Sequence, residues 1–224
     1  MNRVRAVAGG GRAVEVGPER LAGWFARFGE RHGGVRHTEL APRRVRVLAT
    51  DGVRVDVDVP FGPLTETGTQ QGLAIEPLVE HVSRPRRIGL LLVRLGGHSV
   101  GIAEAGRVLT SRTDRRLVHG RNSAGGWSQQ RFARRRKEQA RQALRAAADD
   151  TVDVLVPVLP ELAGVVLGGD RGALDTVRED GRLRDVFAIA EPRVLDVREP
   201  RRTVLDDAAR RARAVEVVLT EAGQ

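Results

Sequence analysis

Between residues 119 and 137 the chain reads HGRNSAGGWSQQRFARRRK. Gly125-Gly126 lets the backbone take a positive φ and approach another molecule with no side chain in the way. Ser128 is placed to cap a following helix, which puts Gln129 and Gln130 in its first turn. A neutral glutamine amide is no general base near neutral pH, but its side-chain carbonyl can hold and aim a water. The functional reading is a loop that approaches another molecule closely and presents its amides there. The plainer reading is structural: the glycines make a loop, the serine caps a helix and the glutamines are simply polar.

The surroundings of the loop separate the two readings. The 224-residue chain carries 38 basic and 29 acidic side chains, a net charge of +9. From Arg112 to Arg145, eleven basic residues stand against only Asp114 and Glu138, so this stretch holds the whole excess and the rest of the chain is neutral. Arg115, Arg116 and Arg121 precede the glycines, and Arg131, Arg134, Arg135, Arg136, Lys137 and Arg141 follow them. Concentration against a neutral background favours contact with a phosphate backbone over a solvated helix face. That Lys137 is the single lysine reads as GC-rich codon usage and carries no functional weight.

Composition narrows the remaining classes. The absence of cysteine excludes disulfide scaffolds, zinc ribbons and thiol catalysis. No apolar run approaches the roughly 20 residues of a membrane span, and MNRVRAVAGGGR lacks the apolar stretch of a signal peptide. The expectation is a soluble, cytoplasmic protein with no membrane partner, forming one large domain or two small ones.

The elements that position the loop follow from periodicity. Residues 1–17 are Gly- and Arg-rich, partly disordered or a short strand. Pro18 to about Arg31 reads as a helix, with Leu21, Trp24, Phe25 and Phe28 at helical spacing and Gly33-Gly34 ending it. Valines alternate on both sides of Asp51-Gly52, a hairpin signal, and Asp56 and Asp58 fall on its solvent face. Pro60 to Gly72 reads as a loop, Glu76 to Ser83 as a short helix and Ser83-Arg84-Pro85 as a linker. Residues 1–84 thus form a small α+β unit of helix plus β-hairpin, and 85–224 a second domain. The second opens with strands over 88–95, 98–104 and about 107–119. The Gly-rich loop 120–126 then leads to a helix from about Trp127 to at least Ala148, with Phe132, Ala140, Ala143, Leu144 and Ala147 as its inner stripe. Beyond it come a helical 152–162, a short strand over Val165 to Leu167, and a helix over Ala173 to Glu179. Strand-like segments at 187–190 and 194–197 and a closing helix over Thr203 to Leu219 complete the chain. The fold class is α+β or α/β, a ribonuclease-H-like mixed sheet in which an antiparallel meander is continued by α/β units.

Gly125-Gly126-Trp127-Ser128-Gln129, the Arg-rich helix and Val165-Val166-Leu167-Gly168-Gly169-Asp170 together resemble the middle domain of eukaryotic and archaeal class-1 release factors. They are closer still to the VLRF-type peptidyl-tRNA hydrolases of ribosome-associated quality control, in their compact bacterial branch. The resemblance covers about residues 86–222. Class-1 factors carry Gly-Gly-Gln in this loop and the VLRF-type relatives a Gly-Gly-Ser-Gln-like sequence. Here Trp127 is inserted and Gln130 follows, so alignment on Ser-Gln selects Gln129 and leaves Gln130 as a second candidate. The resemblance implies a codon-independent hydrolase that releases nascent peptide from stalled peptidyl-tRNA at the peptidyl transferase centre of the large ribosomal subunit. It implies Gln129 aiming the water, Gly125, Gly126, Ser128 and Gln130 shaping the loop, and the arginines on rRNA phosphates. No cofactor or metal is implied, and a monomer is expected. Trp127 either stacks on a base or packs into the domain core.

Other readings fit less well. A two-metal nuclease needs clustered carboxylates, and strands 88–104 offer only Glu104. Ser128 with His119 lacks the G-x-S-x-G elbow of a serine hydrolase. Gly168-Gly169-Asp170 reads as a tight strand-to-helix turn, since no phosphate-loop sequence accompanies it. His32, His37, His81 and His98 have no metal-ligand spacing. The alternative from another class is a ribosome- or RNA-binding module without hydrolysis, which needs the basic helix but not the glutamine.

Overall fold

The computed structural model describes residues 4–6, 11–115 and 127–221; for Arg115 and residues 127–137 it describes secondary structure only. In chain order the first elements are β1 (Val4–Ala6), β2 (Arg12–Val16), α1 (Pro18–Arg31), β3 (Val35–Ala41), β4 (Arg44–Ala49), β5 (Arg54–Asp58), β6 (Gly68–Gln71) and α2 (Glu76–Ser83). Then come β7 (Arg87–Arg94), β8 (Gly97–Glu104), β9 (Arg107–Arg115), α3 (Trp127–Leu155), a 3-10 helix (Val156–Glu161) and β10 (Val165–Gly169). The chain closes with α4 (Arg171–Arg178), α5 (Arg184–Ala188), β11 (Ala190–Leu195), α6 (Arg202–Ala212) and β12 (Val215–Thr220). Two compact units result: Met1–Pro85 with Arg213–Gln224, and Arg86–Ala212.

The first unit is a seven-stranded sheet in the order β1-β2-β12-β5-β4-β3-β6. Val45, Val47, Val55 and Val57 are fully buried and pack with Leu21, Phe25 and Phe28 of α1 and Leu78 and Val82 of α2. The hairpin around Asp51-Gly52 and both helices stand where periodicity puts them. Two strands escaped it. In β3 the inward positions are Thr38 and Leu40, and Thr38 is satisfied by donating to Gly72 O (2.8 Å) and accepting from Ala74 N (3.1 Å). The expected loop 60–72 contains β6, an edge strand whose four residues are all exposed and so carry no apolar signal. The expected closing helix is also corrected: α6 stops at Ala212, and β12 lies antiparallel between β2 and β5. Val215 and Val217 are buried there, so β-branched alternation overrides the helical run before it.

The second unit is a five-stranded sheet in the order β11-β10-β7-β8-β9. β7, β8 and β9 form the antiparallel meander, and β10 and β11 extend it in parallel, which is the expected ribonuclease-H-like layout. α3 and α6 cover opposite faces. Along β8, Val100 and Ile102 pack with Leu144 and Ala147 of α3, while Gly101 between them faces Leu205 of α6. Residues 187–188 end a helix, α5, instead of beginning a strand; Val186 is its buried anchor. Gly168-Gly169-Asp170 is the tight turn expected. Gly169 has φ +105° and a Cβ there would lie 2.1 Å from Val93 O, while Asp170 caps α4 by accepting from Ala173 N at 3.2 Å.

Candidate functional site

β9 is the edge strand from which the chain leaves toward residues 116–126, and α3 is the element that receives it. Gly125, Gly126, Arg116 and Arg121 lie outside the described residues. Arg115 is the last residue of β9. α3 begins at Trp127, so Ser128 lies inside its first turn and not at its cap, a shift of two residues from the sequence reading. Gln129 and Gln130 occupy that first turn as expected, and Arg131, Arg134, Arg135, Arg136 and Lys137 fill the next two.

The 29 residues of α3 make a rod of about 43 Å. Its second half is clamped to the sheet. Ala143, Leu144, Ala147, Ala148, Val154 and Leu155 are buried against it, and Thr151 donates to Ala147 O at 2.6 Å. Arg141, by contrast, is largely exposed, with Glu138 4.0 Å away as its ion-pair partner.

Charge runs along α3 against its own dipole. A helix favours acids near its N-terminus and bases near its C-terminus. Here the first turn has no acid and the last turn no base. Five of its six arginines lie at or before its midpoint, Arg141, and Asp149, Asp150 and Asp153 lie beyond it. The misplaced acids are each compensated by a specific cation. His98 on β8, whose side chain is 2% exposed, brings Nε2 to 2.8 Å from Asp150 Oδ2. Arg112 on β9 brings Nη1 to 3.1 Å from Asp150 Oδ1 and 2.5 Å from Asp153 Oδ2. Arg182 reaches Asp149 at 2.7 Å and Asp180 at 2.6 Å. Burial pushes the Asp150 carboxyl up, but the hydrogen bonds and charges of His98 and Arg112 outweigh it and hold Asp150 below the usual carboxylate range. Hydrogen bonds to Asp180 and Asp149 raise the Arg182 guanidinium.

Sequence reasoning missed this clamp. It counted Arg112 with the basic stretch, whereas the structure commits Arg112 to Asp150 and Asp153; the count had ended at Arg145, four residues before the first of the acids. His98, isolated in sequence, had no visible partner because Asp150 is 52 residues away. Among the described residues no three His, Asp or Glu side chains gather as metal ligands, and no helix is long and apolar enough to cross a membrane. A cavity of about 210 Å³ lies between α4 and β11, lined by Arg171, Arg178 and Phe187 among others, at the opposite edge of the sheet from β9.

The chain is 28% identical over 121 residues to peptide chain release factor subunit 1 of Thermococcus sibiricus, 52% of this chain and 29% of that protein. It therefore spans less than a third of the length of that relative. Two solved structures are similar at 16% and 15% identity. The archaeal translation termination factor aRF1 has TM-score 0.41, covering 74% of this chain and 48% of that one. Archaeoglobus fulgidus Pelota has TM-score 0.29, covering 93% and 64%. Residues 86–218 match the family described as acVLRF1, the Actinobacteria/chloroflexi VLRF1 release factor, and the chain belongs to that family.

Proposed function

We propose that this protein is a peptidyl-tRNA hydrolase that acts at the large ribosomal subunit and frees nascent peptide from stalled peptidyl-tRNA, independently of a codon. The observation that carries the reading is the order of charge along α3. Five basic residues and the Gly-Gly-x-Ser-Gln segment share the end of the helix whose dipole is already positive, while the acids are held at the far end by His98, Arg112 and Arg182. Such an arrangement costs helix stability and concentrates attraction for anions at the loop. Membership of a release-factor family supports the same reading.

In the proposed reaction Gln129 accepts a hydrogen bond from a water through its side-chain carbonyl and aligns it with the ester carbonyl carbon. The water oxygen bonds to that carbon, and the oxyanion is stabilised by nearby donors. The ester C–O bond to the ribose then breaks. The ribose oxygen leaves with a proton relayed from the attacking water through the neighbouring ribose hydroxyl, so the amide itself never changes protonation. Gly125 and Gly126 allow the loop into a narrow rRNA pocket, and Ser128 and Gln130 border it. Arg115, Arg116, Arg121, Arg131, Arg134, Arg135, Arg136, Lys137 and Arg141 bind rRNA phosphates and set position rather than sequence preference. The protein works in the cytoplasm as a monomer without a cofactor.

The insertion of Trp127 between Gly126 and Ser128 favours a second reading, an RNA-binding module that docks without hydrolysis. A release assay on stalled nascent-chain complexes separates the two: the hydrolase frees peptide at a rate well above that of untreated complexes, and the module binds without doing so.

A further inference from the structure

In the first unit some arginines are neutralised by acids and others are not, and the unpaired ones among the described residues include Arg12, Arg43 and a set on α1. On the outward face of its sheet Arg46 pairs with Asp56 (2.9 Å) and Glu39 (3.5 Å), Arg54 with Asp56 (2.8 Å), Arg44 with Asp58 (3.6 Å) and Arg5 with Glu216 (2.7 Å). On α1, Arg20, Arg27 and Arg31 are exposed and make no ion pair or hydrogen bond with any described residue. Their separations of seven and four residues put them within about 40° of one another on the helix surface, about 10 Å and 6 Å apart along its axis. Of the two acids on α1, Glu19 is paired with Arg213 at 2.9 Å, and Glu30 lies about 80° round from the strip. The result is a straight, uncompensated row of guanidinium groups.

Gly23 lies beside the row, about 40° round from Arg27 on the side toward Glu30. It is exposed, it is in the middle of a helix that glycine disfavours, and its backbone is not in the left-handed region. A Cβ there would meet only the flexible end of Arg27, at 3.4 Å. Nothing among the described residues requires glycine at this place. The partner's chemistry follows from what the strip lacks. Among the described residues the large apolar side chains left exposed are Val4, Leu95, Leu109 and Val156, none of them on α1, whose Trp24 is half-buried against Phe25 and Phe28. A linear array of bidentate cations suits a repeating phosphate backbone.

We infer that Arg20, Gly23, Arg27 and Arg31 form a second RNA-backbone contact, in the unit that carries none of the hydrolytic residues. It operates whether or not the loop at 125–130 is catalytic. The test uses the full chain and a 20-base-pair RNA duplex, with affinity measured across salt concentrations. Replacing Arg20, Arg27 and Arg31 by Gln lowers the slope of log affinity against log salt by about 2 to 3 and weakens binding roughly tenfold at 0.1 M salt. Arg→Lys at the same three positions keeps most of the slope. Gly23→Glu weakens binding on its own and serves as the second probe should the triple variant not fold. Replacing Arg134, Arg135 and Arg136 by Gln is measured in parallel. An unchanged slope there, with the α1 effect intact, counts against the proposed function and leaves this inference standing. Unchanged binding by the folded α1 variants overturns the inference. So does an equal loss of binding to polyglutamate, which marks an acidic protein as the partner instead.

Discussion

His98 Nε2 and Asp150 Oδ2 lie 2.8 Å apart, and because a carboxylate only accepts hydrogen bonds, the proton is on Nε2. This bond crosses from the central meander to the second half of the basic helix. It fixes the helix from the end opposite its glutamines, with Arg112 gripping the same carboxylate from the neighbouring strand.

Asp150→Ala leaves the His98 N–H buried without its partner. Urea unfolding is expected to show a loss of about 1–3 kcal/mol. Asp149→Ala, which breaks only an exposed pair with Arg182, costs less than about 1 kcal/mol in the same measurement. Equal losses in the two variants would show that the buried bond contributes nothing special.

The same carboxylate gives a pH signature. Its folded pKa lies below the unfolded one, so its contribution to stability is present above roughly pH 4 and fades as pH falls through the folded value. The stability difference between the wild type and Asp150→Asn is therefore largest near pH 7 and shrinks progressively as pH falls below about 4. A difference that grows on acidification contradicts this.

Gly169→Ala forces a side chain into a left-handed turn and against the Val93 carbonyl. We expect a loss of about 3 kcal/mol or more, read as a lower thermal midpoint. Gly181→Ala has open space around its Cβ and is expected to stay within about 0.5 kcal/mol of the wild type.

Val217→Asp places a charge in the fully buried centre of β12 and should cost about 4 kcal/mol or more. In a Trp127→Phe background Trp24 is the sole tryptophan, and it packs on Phe25 and Phe28 in the same core. Its emission reports the first unit directly. An unshifted denaturation midpoint would mean that β12 does not support that sheet.

Legibility followed the strength of local signals. α1, the hairpin at Asp51-Gly52 and the meander of β7 to β9 could be read because apolar residues recur at the period of the element. β6 has no apolar residue, and β3 hides its inward Thr38 behind a satisfied hydroxyl, so neither gives a pattern. At the C-terminus an alanine-rich helix runs straight into a β-branched strand, and helical periodicity carried the reading too far. For the site, the sequence exposed the loop and the basic run but not the clamp. Asp150 and His98 are 52 residues apart, and only the fold brings them together.

The most direct test of the central claim is peptide release from stalled nascent-chain complexes by the wild type, Gln129→Ala and Gln130→Ala, with ribosome co-sedimentation measured on the same samples. Loss of a positioning group for the attacking water should slow release by about 10²-fold or more. We predict that loss for Gln129→Ala, with co-sedimentation unchanged. Full release by both glutamine variants would contradict the account.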